Sequence, residues 1–406
     1  MTGRGDPQEL VFLPSLRAAK GPAGGVVLTK KYVEGTEMIA RRWPGPVSVL
    51  MQEETRVSTE MDLHEYHPED TLLNLEWRPD TISELMDRIG NAAAIIGFLA
   101  SSEEEVAVEC HRSGIPFVCT SEYAPRTERQ IADAELSNLL RRWRRKHWLR
   151  QAERARRRML PLLAGLQCSG TPTYDLYAPL QPNALLFFDN RVLSEQIADD
   201  ATLARKAAGL SSGRPLRLAF GGRLVAMKGV RDLPAVAATL MAEGIDFTFD
   251  IYGAGPEETL IRQRIETLGV GDRMRIRGVL DFRTGWVPTL QDKVDIFVCP
   301  HVQGDPSSTY PEAMSCGVPI AGYANEAFAG IVRTSGAGWT APLGEPVALA
   351  QVIARLADAR DEVVRMARVS RDFAREHCFE QTFARRAAHL VSSSRLPALE
   401  KAKAVG

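Results

Sequence analysis

The chain has 406 residues and a formal net charge of −1, with 25% charged and 45% apolar residues, a balance that fits a folded globular protein and gives no overall pull toward nucleic acid. Its length exceeds one ordinary core, so two domains of roughly 200 residues with a cleft between them are expected. Six cysteines, Cys110, Cys119, Cys168, Cys299, Cys316 and Cys378, lack C-x-x-C spacing, which argues against a zinc site; with no cleavable signal stretch before Leu10, a reducing cytoplasm is the expected compartment.

The tripeptide Arg4-Gly5-Asp6 sits near a terminus and carries no functional reading. Leu10 to Leu13 reads as a first strand, and residues 18–25, ending in Gly24-Gly25, as a glycine-rich loop before a helix beginning near Val26. Short apolar runs at 47–51, 93–99 and 116–120 alternate with helical stretches, as in a parallel, doubly wound sheet. The run from Ala92 to Ala100 falls well short of the roughly 20 residues needed to span a bilayer, which leaves surface attachment as the membrane contact to consider.

Residues 136–158 form the main anomaly of composition. Arg141, Arg142, Arg144, Arg145, Lys146, Arg150, Arg154 and Arg156 to Arg158 interleave with Leu136, Leu139, Leu140, Trp143, Trp148 and Leu149, while Glu128, Asp133, Glu135 and Glu153 offset part of the charge. Two readings stand: an amphipathic basic helix suited to an anionic membrane surface or anionic acceptor, or a solvated basic helix whose tryptophans are core. Leu185 to Phe188 reads as the last strand of the first half, and 201–214 as a linker softest at Ser211-Ser212-Gly213.

Strands recur at 216–221, 248–252, 274–277, 296–299 and 318–321, giving a second sheet of the same type. After the first of them, Gly221-Gly222-Arg223-Leu224-Val225-Ala226-Met227-Lys228-Gly229 presents two cations at a strand's carboxyl end, where open α/β sheets bind ligands and where a diphosphate needs fixed positive charge. Gly253-Ala254-Gly255-Pro256 is a further glycine turn, read as a structural turn and at most as cleft lining. Asp305-Pro306-Ser307-Ser308-Thr309 reads as a helix start with Asp305 as N-cap. Its free amides around Ser307 to Thr309 can meet a phosphate or sugar hydroxyl, and Glu312 can accept both hydroxyls of a ribose. A last helical stretch, 371–390, carries Phe373, Phe379, Phe383 and Leu390.

At these motifs the chain resembles the retaining nucleotide-sugar glycosyltransferases of glycosyltransferase family four, from Leu216 to about Leu390. The resemblance implies a GT-B architecture: two Rossmann-like, doubly wound parallel-sheet domains facing a central cleft, at 1–200 and 214–379, with 380–406 crossing back to the first. It implies that Arg223 and Lys228 hold the donor diphosphate beside Gly222 and Gly253, and that Glu312, in the match to E-x7-E and A-x-x-x-G-x-P-V, binds the ribose. The earlier Glu of that pattern is missing, because the acid is Asp305, one position later than the family's glutamate. Asp305 is then either the group that holds the sugar's hydroxyls or a helix cap. In the first half the likeness rests on element order, on Gly24-Gly25 facing the cleft and on Cys168-Ser169-Gly170. Glu122, in Ser121-Glu122, stands where the family commonly places a His, and His64, His67 and His111 are expected to be surface or structural residues.

The expectation is a metal-independent retaining transferase with no cofactor beyond its nucleotide-sugar substrate. Its partners would be a carbohydrate, lipid-linked or small-molecule acceptor, with peripheral membrane contact through 136–158 and no nucleic acid. A nucleotide-sugar epimerase or phosphorylase-like GT-B enzyme, and a non-catalytic nucleotide-sugar sensor or membrane-surface scaffold, are the alternatives.

Overall fold

The computed structural model describes residues 8–54, 63–136, 138–398 and 400–401, so Arg4-Gly5-Asp6 lies outside the described residues. Strands with apolar side chains on both faces can be stable only between two helical layers, and both sheets have that form. In the first, β1 (Leu10–Phe12), β4 (Val47–Glu53), β6 (Asn74–Trp77), β7 (Ala94–Phe98), β8 (Phe117–Ser121), β9 (Gly165–Ser169) and β10 (Ala184–Phe187) are parallel, with Leu10 opposite both Val47 and Ala94. The sheet runs β10-β9-β8-β7-β1-β4 and continues into β2 (Arg17–Lys20), β3 (Val26–Thr29) and β5 (Leu63–Tyr66).

That edge corrects one expectation. Val26 opens a strand, antiparallel to β2 and β5, and the helix starts at Lys30. Val26, Val27 and Thr29 are β-branched and alternate across a pleat more readily than they line a helix.

The second sheet is wholly parallel, in the order β13 (Met274–Gly278), β12 (Phe247–Tyr252), β11 (Leu216–Gly221), β14 (Ile296–Cys299), β15 (Ile320–Tyr323), β16 (Trp339–Ala341). Strand order reverses between β11 and β14, and a crevice opens at such a point beyond the strands' carboxyl ends.

The crossing between domains also differs from the sequence reading. Residues 200–211 are a helix, capped by Asp199, with Leu203, Lys206 and Leu210 buried, so 201–214 is not a linker. Lys206 Nζ donates to the carbonyls of Leu290 (2.7 Å) and Val294 (2.5 Å), tying this helix into the second domain. The chain passes between domains at 188–199 and returns at 377–379, where the expected single terminal helix is broken into Arg360–Glu376 and Phe379–Ser393. Phe373 packs on the second core, whereas Phe379, Phe383 and Leu390 belong to the core on one face of the first sheet. The two passages are stitched together by Asn190 Nδ2 donating to the His377 carbonyl (3.2 Å) and the Phe379 amide donating to the Val192 carbonyl (3.0 Å).

Candidate functional site

The loops after β11, β12 and β13 are laced to one another: the Gly222 amide donates to the Tyr252 carbonyl (2.9 Å) and the Gly253 amide to the Gly278 carbonyl (2.8 Å). Gly253 has φ 138°, and a Cβ there would lie 1.9 Å from the Gly222 carbonyl oxygen. Two glycines in contact let these turns close over each other and leave their edges open to the crevice.

Lys228 comes out of that turn into the interior. Its Nζ donates to Asp305 Oδ2 (2.7 Å) and lies 3.3 Å from Ser307 Oγ, with both residues of the ion pair buried. Asp305 is therefore not the N-cap: the helix is Thr309–Ser315 with Ser308 at its cap position, and residues 305–308 are the loop before it. Asp305 Oδ1 is buried and has no donor among the described residues, with His301 Nδ1 3.9 Å away. Burial, with Lys228 beside it, holds the His301 imidazole well below its usual range, so the ring is neutral at pH 7. Arg223, by contrast, is exposed on the crevice wall and has no ion-pair partner among the described residues.

Glu312 is buried in the first turn of its helix and accepts from Arg191 Nε (2.8 Å), whose guanidinium stacks over Phe282 at 4.0 Å. Across the crevice, Lys31 pairs with Asp189, and Glu122 stands at the end of β8. Burial, reinforced by the negative charge of Asp189, pushes the Glu122 carboxyl above the usual carboxylate range.

These groups line one interdomain cavity of about 620 Å³, which holds Gly222, Arg223, Lys228, Gly253 and 305–309 on one wall and Lys31, Glu122, Asp189 and Arg191 on the other. Its volume suits a ligand of nucleotide size. A second cavity of about 290 Å³ opens beside it within the first domain and shares Lys31, Glu122 and Asp189. Gly24 and Gly25 line neither. They turn the β2–β3 hairpin, where the Gly25 amide donates to Glu65 Oε1 (2.8 Å), and the cleft positions expected of them are taken by Leu13, Pro14 and the start of the Lys30–Ala40 helix. His64 and His111 are exposed and His67 is half-buried.

Sequence reasoning missed Lys31, Asp189, Arg191 and His301. For two of them a signal existed: Asp189-Asn190-Arg191 directly follows the last apolar strand of the first sheet, the edge at which charge meets ligand. Lys31 was hidden by reading β3 as helix.

The basic stretch is a helix, Leu139–Met159. Leu149, Ala152, Ala155, Arg156 and Met159 face inward, with Arg156 paired to Glu128 at 2.5 Å. Its tryptophans are not core: Trp143 is 63% and Trp148 47% exposed, beside Leu139 at 76% and Leu140 at 65%. Arg141, Arg144, Arg145, Arg150 and Arg154 have no acidic partner among the described residues. No described helix is long and apolar enough to cross a membrane.

Residues 215–359 match the family described as glycosyl transferases group 1. The 2-deoxystreptamine N-acetyl-D-glucosaminyltransferase of Streptomyces fradiae is 32% identical over 163 residues, covering 37% of this chain and 37% of that protein. The putative colanic acid biosynthesis glycosyltransferase WcaL of Salmonella typhimurium is 27% identical over 173 residues, covering 40% and 42%. The chain thus matches about two fifths of the length of these relatives. Over nearly the whole chain, the fold is similar to Anabaena Alr3699/HepE in complex with UDP (TM-score 0.66, 13% identity, 95% of this chain and 100% of that one). It is also similar to WaaG, a glycosyltransferase involved in lipopolysaccharide biosynthesis (TM-score 0.56, 13% identity, 94% and 99%). The chain has the GT-B fold, and residues 215–359 match the family described as glycosyl transferases group 1.

Proposed function

We propose that this protein transfers a sugar, with retention, from a nucleotide diphosphate sugar to an acceptor hydroxyl, in the making of a polysaccharide, glycolipid or glycosylated metabolite. The observation that carries this reading is the unpaired Arg223 beside the buried Lys228–Asp305 pair in a cavity of nucleotide size. Arg223 and Lys228 would stabilise the diphosphate as the bond between it and the anomeric carbon breaks and negative charge builds there, which requires no metal. The acceptor oxygen bonds to the anomeric carbon on the face the diphosphate leaves, and its proton passes to the departing phosphate oxygen. Asp305 Oδ1, the acceptor without a donor, would take a hydroxyl of the sugar, and Glu312 the ribose hydroxyls.

The test is a thermal-shift panel of UDP, GDP, ADP and TDP sugars on wild type, Arg223→Ala and Asp305→Ala, followed by donor hydrolysis. Stabilisation by one donor that Arg223→Ala loses, with hydrolysis that Asp305→Ala loses, is the expected result and names the base. Binding without hydrolysis or transfer would favour a nucleotide-sugar sensor, and no stabilisation at millimolar donor would sink the reading.

A membrane surface is a further proposed partner, favoured by the exposed Trp143 and Trp148 among five arginines without acidic partners. Indole rings and free guanidinium groups together suit an interface of anionic lipid headgroups, on the cytoplasmic face if the protein is cytoplasmic.

A further inference from the structure

The cavity of about 290 Å³ in the first domain lies beyond the carboxyl ends of β1, β7, β8 and β10, under the Lys30–Ala40 and Phe379–Ser393 helices. Phe12, Leu16, Ile39, Ile96, Phe98 and Phe187 make much of its wall. A bare carbohydrate has hydroxyls on every edge and would leave those that meet such carbon surfaces without partners.

Polar side chains also line the wall, Thr29, Thr36, Thr120 and Ser169 among them, and two of its polar residues, Arg386 and Tyr32, keep donors without acceptors among the described residues. Arg386 stacks over Phe187 (4.4 Å) and Phe383 (5.0 Å), and its Nε donates to Gln167 Oε1 (2.8 Å). Its two Nη atoms reach no acceptor among the described residues, because the nearby carboxylate, Asp189, is engaged by Lys31. The Tyr32 hydroxyl is buried and has no hydrogen-bond partner among the described residues. The wall's other carboxyl, Glu122, is held toward its neutral form by burial. The cavity is therefore an apolar chamber with one guanidinium that no carboxylate contacts, and its mouth opens onto the interdomain cavity through the residues the two share.

We infer that this chamber seats the acceptor, and that the acceptor is amphiphilic: an apolar or aromatic body with one anionic group held by Arg386. This rests on the glycosyltransferase reading above. A small polycation of the aminocyclitol kind meets the wrong walls and the wrong charge here, so the acceptor differs in class from the 2-deoxystreptamine in the name of the Streptomyces fradiae relative.

The test uses the full-length protein and calorimetric titration with 6-hydroxy-2-naphthoate, its methyl ester and 2-deoxystreptamine as probes, with UDP and GDP titrated separately. Wild type is expected to bind the acid at least tenfold more tightly than the ester and to bind 2-deoxystreptamine more weakly than either. The acid's advantage should vanish in Arg386→Met and persist in Arg386→Lys, with nucleotide affinity unchanged in both. Equal binding of acid and ester by wild type overturns the proposal, as does an acid preference that survives in Arg386→Met, preferential binding of 2-deoxystreptamine, or no binding of either naphthyl compound at millimolar concentration. If Arg386→Met does not fold, the acid–ester comparison on wild type decides alone. Loss of nucleotide binding in every protein would count against the donor reading and leaves the acid–ester result standing.

Discussion

Lys228 and Asp305, separated by 77 positions, meet at 2.7 Å inside the second domain, and the carboxylate's other oxygen has no donor among the described residues. Removing one partner of a buried pair strands the other charge, which typically costs about 3–5 kcal/mol. Lys228→Met should therefore lower the unfolding midpoint markedly as well as weaken nucleotide-sugar binding. Adding Asp305→Asn should restore most of the stability and none of the binding. Denaturant unfolding of the single and double variants, with donor titration, separates the two effects.

Glu312 accepts one bond from Arg191 and retains further lone pairs. If those take the ribose hydroxyls, Glu312→Gln should weaken nucleotide binding about tenfold, equivalent to ~1.4 kcal/mol. The 2′-deoxynucleotide should bind wild type and Glu312→Gln with similar affinity. Equal affinity of wild type for ribo- and deoxyribonucleotide would remove Glu312 from the ribose.

Gly229 carries φ +63°, and a Cβ there would sit 1.7 Å from the Pro300 carbonyl oxygen, which is backbone and cannot swing away. Gly229→Ala should cost more than the roughly 1 kcal/mol of a left-handed alanine, since the β11 and β14 loops must separate. Gly244→Ala, with similar φ and no atom within 4 Å, supplies the control with the backbone term alone. Thermal melts of the two variants measure the difference.

Burial, with Arg385 donating to Nδ1 at 2.6 Å, pushes the His377 imidazole down to about 4. The unfolded chain takes up this proton near pH 6.5. Between there and pH 4 the unfolded state binds a proton that the folded state refuses. The stability present above pH 6.5 is thus lost as pH falls through 4. Urea midpoints at pH 7 and pH 5 should differ less in His377→Gln than in wild type.

Flotation with vesicles tests the helix Leu139–Met159. Wild type should rise with phosphatidylglycerol vesicles and less with phosphatidylcholine. Trp143→Ser with Trp148→Ser should reduce recovery several-fold without changing the melting temperature, because both rings are exposed. Unchanged recovery would leave the exposed tryptophans unexplained.

Apart from Asn74–Trp77, Gly165–Ser169 and Trp339–Ala341, the parallel strands were legible because apolar runs buried on both faces, such as 216–221 and 296–299, read the same from either side of the sheet. The first sheet's edge was not. Val26 to Thr29 is short enough to belong to helix or strand, and its pairing with Leu63–Tyr66 depends on residues far along the chain. In the site, Arg223, Lys228 and Glu312 were legible from local spacing. Asp305 was left between helix cap and sugar-binding group because its partner, Lys228, is distant in sequence. Arg386 carries no local pattern at all; only the folded chain brings it to the cavity.

The terminal helix Phe379–Ser393 fills one face of the first sheet with Phe383, Leu390 and Val391, against strands that begin at Leu10. During synthesis at roughly 5–20 residues per second, the first domain must wait with that face uncovered while the entire second domain leaves the ribosome. The first domain's core is completed only when the returning helix has been made. A nascent chain stalled before Phe379 would present the apolar side chains of β1, β4 and β7 to chaperones, and neither half can be excised by a single cut without breaking the first domain's core.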